Sequence, residues 1–249
     1  MRNFWDRIFN KKKSEEVERL RVDMHSHLFP GIDDGVEDLE QALETIVALK
    51  NLGYRKLITT PHVMMGVYDN TPEILLAKRD QLRAFLKDKG VDIEIEASAE
   101  YYLDEHFMEL LHAGKHKLVP IANKYILIET AFMHASPFLN EAVFLIQASG
   151  LKPILAHPER YLYMHEDFNT YVELHQKGVL FQLNLSSLTG YYSPMVRKMA
   201  RRLIDEQMVD FLGTDCHGLR HIQNLEKAFD NDYYKKAMKL PLLNQALLA

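Results

Sequence analysis

A chain of 249 residues with 47% hydrophobic and 26% charged side chains holds enough apolar material for one sizeable core, which excludes a disordered or low-complexity protein. The formal net charge of −5 argues against a broad nucleic-acid surface, yet leaves room for an anionic substrate wherever carboxylates hold cations. No run approaches the roughly 18 unbroken apolar residues that span a bilayer. Met1 to Lys13 lacks the apolar region of a secretory signal, and one cysteine, Cys216, excludes an intramolecular disulfide, so a reducing cytoplasm is the expected compartment.

The segment 1–19 stands apart from the rest. Phe4, Trp5, Ile8 and Phe9 recur at helical spacing beside Arg2, Arg7 and three consecutive lysines at 11–13. One reading is a short amphipathic helix that docks on a membrane surface or a partner through residues 1–13. The other is a terminal helix packed on the floor of the fold. From Leu20 onward, β-rich runs are expected at 20–25, 54–60, 92–100, 124–130, 152–157, 179–185 and 209–214, with helices at 37–51, 72–89, 137–149, 167–177, 194–207 and 223–238. Such alternation implies βαβ units and a parallel sheet. Seven strands predict a closed or nearly closed (β/α) barrel in one domain, 20–249.

Metal-ligand residue types stand at the C-terminal end of six of these strands. They are Asp23, His25 and His27 after the first, His62 after the second, Glu100 after the third and Glu129 after the fourth. His157 follows the fifth, and Asp215 and His217 follow the seventh. In a parallel barrel those ends converge on the face where active sites are built. Side chains two apart on a strand share a face, which pairs His25 with His27 and Asp215 with His217 and turns Cys216 away. Asp23 is expected to hold a ring N–H and fix its tautomer. The Pro30-Gly31-Ile32-Asp33-Asp34-Gly35 turn is expected to fold back and offer Asp34 to the same cluster. Singly, each residue has a bland reading as a strand cap, a paired buried carboxylate or a turn former. Their shared strand end argues against independent accident. His106, His112, His116, His134, His165 and His175 lie elsewhere and receive no role.

These segments resemble the PHP (polymerase and histidinol phosphatase) family. Its motifs are an H-x-H after strand one, a His after strand two, a Glu after strand three, a later His and a closing D-x-H. All occur here in order across 23–217. Within that family the sequence is similar to the bacterial manganese-dependent protein-tyrosine phosphatases of capsule and exopolysaccharide operons. The likeness rests on D-x-H-S-H-x-x-P-G-I-D-D-G at 23–35, T-P-H at 60–62, A-H-P-E-R-Y at 156–161 and T-D-C-H at 214–217. The resemblance implies a PHP-type distorted (β/α)7 barrel, of class α/β, with three divalent ions at the strand ends. His25, His27, Glu100 and Asp215 would surround the first. Glu100 would bridge to the second, with Glu129 and His157, and Asp34, His62 and His217 would hold the third. A mixed carboxylate and imidazole set suits manganese, with iron or zinc as alternatives, more than magnesium or calcium.

The expected chemistry is phosphomonoester hydrolysis by a metal-activated hydroxide, with Asp34, His217 and Arg160 as catalytic residues. Arg160 suits phosphate through its planar fork; its bland alternative is an ion pair with Glu159. Arg220 and Tyr102 are further candidates for substrate contact, on a rim expected from 64–71 and 101–118. There Tyr68, Tyr101, Tyr102 and Phe107 would stack on a phosphotyrosine ring or merely pack. The expected partner is a phosphotyrosine protein, a bacterial tyrosine kinase, with no nucleic acid. Cysteine-phosphatase chemistry is excluded, because Ile222 stands where the arginine paired with Cys216 would be needed. Rival readings keep the cluster and change its use: a phosphatase of a small ester such as histidinol phosphate, a nuclease-type domain, or a non-catalytic interaction module.

Overall fold

The computed structural model describes residues 19–248, so the amino-terminal helix expected within 1–19, with its docking role, lies outside the described residues. The strands are β1 (Val22–Asp23), β2 (Lys56–Thr59), β3 (His62–Val63), β4 (Glu94–Ala97), β5 (Glu100–Tyr102), β6 (Tyr125–Glu129), β7 (Lys152–Ala156), β8 (Leu180–Asn184) and β9 (Phe211–Gly213). Every pairing between them is parallel, in the orders β1-β2-β4 and β3-β5-β6-β7-β8-β9. β2 and β3 are one run interrupted at Thr60-Pro61, where proline has no N–H for the ladder. β4 and β5 are likewise one run interrupted at Ser98-Ala99. The strands therefore form seven runs that follow one another in chain order.

The ring meets itself between β1 and β9 through a seam of mixed character. At its lower end Asn244 stands in for a ladder, accepting from Leu212 N and donating to Val22 O and Leu212 O. Midway, the Asp23 carboxylate accepts from Thr214 N and Thr214 Oγ1. At the top a parallel bridge pairs Ser26 with Cys216, with Asp215 N donating to His25 O and His27 N to Cys216 O. This assigns Asp23 to the seam: its carboxylate bonds Thr214 rather than an imidazole, and the expectation that it fixes a histidine tautomer is corrected.

Strand alternation divides the apolar side chains into two layers. Val22, Met24, Ile58, Tyr125, Leu127, Ile154, Ala156 and Phe211 pack together inside the ring, closed below by Ile121 and Leu247. Their alternates, such as Ile126, Ile128, Leu155, Phe181 and Leu183, pack outward against the helices. Those helices are α1 (Leu39–Asn51), α2 (Pro72–Asp88), α3 (Glu105–Ala113), α4 (Leu139–Ala148), α5 (Asn169–Gln176), α6 (Pro194–Asp205), α7 (Leu219–Phe229) and α8 (Asp232–Ala237). Side chains of Asp38, Thr71, Asp104 and Ser193 cap α1, α2, α3 and α6 by accepting a free N–H of the first turn. Two expectations change. The stretch 101–118 contains α3, capped by Asp104 and anchored by Phe107, Met108 and Leu111. The helix expected at 223–238 begins earlier and divides, because Asn231 leaves the helical conformation and caps α8. No helix among the described residues is long and apolar enough to cross a membrane.

Candidate metal centre

At the C-terminal strand ends the fold brings all nine expected ligand residues into one cluster. Three overlapping groups have donor atoms within 4.8 Å of one another: His27, Asp34, His62 and His217; His25, His27 and Glu100; His62, Glu100 and Glu129. Glu100 is the hub. Its Oε2 lies 3.2 Å from His25 Nε2, 3.4 Å from His27 Nε2 and 3.3 Å from His62 Nδ1, while Oε1 lies 2.9 Å from His157 Nε2. Glu129 stands 3.6 Å from both His62 and His157. Asp34 Oδ1 is 3.4 Å from His62 Nε2 and 3.3 Å from His217 Nε2, so the 30–35 turn does fold back over β1. Compared with the grouping implied by resemblance, His27 and His62 each serve two groups.

The imidazoles of His25 and His27 are oriented from behind. Asp215 Oδ2 can only accept, and it takes a hydrogen bond from Asn184 Nδ2 at 2.7 Å. The Asn184 oxygen is therefore the atom that accepts from Gln182 Nε2 at 2.9 Å. Gln182 in turn must present Oε1 to His25 Nδ1, 2.7 Å away. His25 thus carries its proton on Nδ1 and offers Nε2. Asp33 Oδ2 accepts from His27 Nδ1 at 2.7 Å with the same effect. The two Nε2 atoms then face each other at 3.3 Å. Two lone pairs at that distance repel unless a positive charge lies between or beside them. That observation, with a donor set of imidazole nitrogens and carboxylate oxygens, fits divalent transition-metal ions.

Charge agrees with geometry. Burial pushes the Asp215 carboxyl up, but His25, His27, His217 and Arg160 hold it well below its ordinary range. Glu100 is likewise held well below against burial, chiefly by His25 and His62. Glu129 is pushed well above, by burial and by the Glu100 charge, and needs a cation to ionise. Asp34 is lowered to about 2, first through its contact with His217. Burial and the neighbouring Arg160 bring His157 down to about 4, which keeps a neutral ligand nitrogen available. His157 and Asp215 both adopt left-handed backbone, at φ +33° and +51°, a strain of about 1–3 kcal/mol each for residues other than glycine. At Asp215 this turn ends strand alternation, yet its Oδ1 still lies 3.5 Å from His217 Nδ1 while Cys216 is buried on the other side.

Arg160 follows His157 through a single 3-10 turn, Pro158–Arg160. Its partner is Asp215 Oδ2, at 3.1 Å. Glu159 instead turns inward and accepts from Asn184 N and Ser187 Oγ. The Arg160 guanidinium is sandwiched between Phe132 and Tyr192, 4.4 Å from each ring centroid. It lines a cleft of about 950 Å³ with Tyr68, Tyr102, Tyr191, Arg220 and His221. Tyr101 and Phe107 do not reach this cleft; they stack on one another in the core at 5.0 Å.

Several residues of the site escape a reading of strand ends. Gln182 and Asn184 lie two apart in an otherwise apolar β8, a polar interruption that marks the face pointing at the cluster. Asp33 hides beside Asp34, since the turn offers both carboxylates. His221 accepts from His217 N on Nδ1 at 2.9 Å, which leaves its proton on Nε2 at the cleft wall. Tyr192 and Phe132 carry no signal beyond their aromatic character.

Residues 21–239 match the family described as capsular polysaccharide synthesis, CpsB/CapC. The tyrosine-protein phosphatase YwqE of Bacillus subtilis (strain 168) is 29% identical over 220 residues, covering 85% of this chain and 86% of its own. The putative tyrosine-protein phosphatase CapC of Staphylococcus aureus is 27% identical over 218 residues, covering 87% and 84%. A chain from the crystal structures of YwqE and of CpsB from Streptococcus pneumoniae, described as unique metal-dependent tyrosine phosphatases, superposes with a TM-score of 0.81. It is 27% identical, over 91% of this chain and 94% of that one. Histidinol phosphate phosphatase from Lactococcus lactis shares the fold, with a TM-score of 0.53 at 14% identity over 88% and 93%.

Proposed function

The chain belongs to the CpsB/CapC family of capsular polysaccharide synthesis, and from that premise we propose that it is a metal-dependent phosphomonoesterase acting on phosphotyrosine in proteins. The observation that supports this best is the position of Arg160, clamped between two aromatic rings at the edge of the nine-donor cluster. A guanidinium so fixed has lost most of its rotamer freedom before a phosphate arrives.

Three divalent ions, manganese foremost, would be held by His25, His27, Glu100 and Asp215, by Glu100, Glu129 and His157, and by Asp34, His62 and His217. When bound, they supply Lewis acidity toward water and phosphoryl oxygen. The protein's own groups do the rest. Arg160 gives one N–H to Asp215 and keeps others for phosphoryl oxygens, where charge builds during in-line displacement. Asp215 Oδ2 is occupied by Arg160, Asn184 and Tyr192, which leaves Oδ1 for the centre. His221, with its proton left on Nε2 and its side chain at the cleft wall, would serve as the donor to the departing phenolic oxygen. Phenol, with a pKa of about 10, needs less protonation than an alkyl alcohol. Tyr68, Tyr102 and Arg220 border the space for the aryl ring and its flanks.

The corresponding partner is a tyrosine kinase of polysaccharide synthesis, met in the cytoplasm or at the membrane's inner face. The deciding experiment offers a phosphotyrosine peptide, a phosphoserine peptide and histidinol phosphate to metal-stripped protein with and without Mn²⁺. Mn²⁺-dependent turnover of the phosphotyrosine peptide alone is expected. Preference for histidinol phosphate would move the function to small-molecule metabolism.

A further inference from the structure

Several cations on the described surface have identifiable acceptors: Lys78 donates to Pro30 O, Arg79 pairs with Asp80, Arg83 with Glu96 and Lys89 with Glu40. Helix α6 differs. Its buried stripe is Val196, Met199, Ala200, Leu203 and Ile204, and its outer face carries Arg197, Lys198, Arg201 and Arg202. Among the described residues none of these four has a carboxylate partner. Arg201 and Arg202 rest on the rings of Tyr233 and Phe168. The carboxylate of Asp205, on the same face, is already taken by Lys236 at 2.7 Å. The helix thus presents four uncompensated charges in a chain of net charge −5.

This arrangement works against the helix itself. Arg197 and Arg201, and Lys198 and Arg202, are like charges at i,i+4, and Arg197 and Lys198 sit toward the positive end of the dipole. Only the ring contacts of Arg201 and Arg202 offset the repulsion within the described residues, and an acidic partner would relieve it further. One end of this face also approaches the cleft. Arg197 packs at Gly190, where its Nη1 lies 3.3 Å from the position a Cβ would take, and the following Tyr191 and Tyr192 line the cleft.

We propose that the outer face of α6 docks an acidic stretch of the protein substrate beside its phosphotyrosine. This rests on the phosphotyrosine reading and adds a specificity determinant to it. The spacing selects a linear chain. Each i,i+4 pair spans about 6 Å along the helix axis, close to the roughly 6.6 Å between alternate residues of an extended strand. Glutamate or aspartate at alternate positions would therefore meet both members of a pair. A lipid surface fits less well, because the stripe is one helix wide and ends at an exposed carboxylate, Glu206.

The test compares two phosphotyrosine peptides, one with glutamates at alternate flanking positions and one with glutamines there, and p-nitrophenyl phosphate. Wild type and the exposed-site variant Lys198→Glu/Arg202→Glu are used, both loaded with Mn²⁺. For wild type at low salt, KM for the glutamate peptide should be lower by about tenfold, with kcat equal. High salt and the double variant should each abolish that preference and leave p-nitrophenyl phosphate turnover unchanged. Anisotropy of the unphosphorylated glutamate peptide measures docking without turnover, so a failed phosphatase assay and a failed docking face give different results. Equal KM for the two peptides, or a preference that survives the double variant, overturns the proposal. So does Lys198- and Arg202-dependent binding to phosphatidylserine vesicles without preference for the glutamate peptide, which would assign the face to a membrane.

Discussion

Replacing Asp33 with asparagine isolates the control of an imidazole by a residue that would touch no metal. The Asp33 carboxylate serves three donors: Oδ2 accepts from His27 Nδ1 at 2.7 Å and His62 N at 3.3 Å, and Oδ1 accepts from Gly35 N at 3.0 Å. An amide has one oxygen. If that oxygen stays on Gly35, the NH₂ faces His27 Nδ1 and forces the proton to Nε2, the atom His27 would offer to metal. If it turns to His27, two N–H groups meet over Gly35. Loss of such an orienting partner typically weakens metal affinity about 10–100-fold, or roughly 1.4–2.8 kcal/mol. Titration of metal-stripped Asp33→Asn protein with Mn²⁺ by calorimetry should show this loss while the circular dichroism spectrum stays native. Wild-type affinity in the variant would refute the reasoning that Asp33 sets the His27 tautomer.

Other consequences follow from buried groups. Burial raises the Glu159 carboxyl to about 7, with bonds from Ser187 and Asn184 opposing, so the folded protein binds this proton more tightly than the unfolded chain from pH 4.5 to about 7. Stability should fall as pH rises through that window, by about 3 kcal/mol at roughly 1.4 kcal/mol per unit. Glu159→Gln keeps the accepting oxygen and should flatten this slope in urea unfolding of metal-free protein; parallel pH profiles would contradict it. Cys216 is fully buried and its thiol is pushed up to about 12, so it should resist Ellman's reagent until the protein is unfolded, and Cys216→Ser should keep activity. Gly35→Ala places a Cβ 2.2 Å from His27 O and 2.7 Å from His27 Cβ, so the backbone that carries a ligand has to move. We expect a loss of about 1–3 kcal/mol in thermal unfolding, together with weaker metal binding; an unchanged melting temperature would show that the turn yields freely.

The parts of this site that could be read from residue order are those that topology alone dictates. Once strands alternate with helices the sheet is parallel, and His25, His62, Glu100, Glu129 and His157 have to meet at one end whatever the details of packing. What could not be read depends on the partner of each side chain. Asp23 looked like an orienting carboxylate because it precedes His25 by two, but the seam between β1 and β9 lacks ladder bonds there and takes it instead. Gln182 and Asn184 acquire meaning only through the chain of hydrogen bonds from Asp215 to His25. Tyr101 and Tyr102 are neighbours on β5, and alternation sends the first into the core and leaves the second at the cleft. Gly35 looked like an ordinary turn former, whereas its lack of a Cβ matters for the close approach of His27.

The same proximity that suits the cluster to metal ions makes it hold a proton without them. His25 and His27 face one another through Nε2 at 3.3 Å, and both Nδ1 protons are committed to Gln182 and Asp33. In the metal-free protein a positive charge is needed there. Burial pushes both imidazoles down, but Glu100 and Asp215 hold His25 above its ordinary value of 6.5, and Asp33, Asp215 and Glu100 hold His27 well above it, so the pair keeps a proton near neutrality. A divalent ion requires the Nε2 lone pair, so binding should expel the proton. Calorimetric titration of stripped protein with Mn²⁺ near pH 7, in buffers of different ionisation enthalpy, should show net proton release. Affinity should weaken as pH falls, approaching about tenfold per pH unit for each proton displaced. Asp33→Asn, which removes the charge that holds the proton, should release fewer. Binding with no proton released at neutral pH would show that the two lone pairs coexist without a cation, and the argument for the cluster as a metal centre would lose its main physical support.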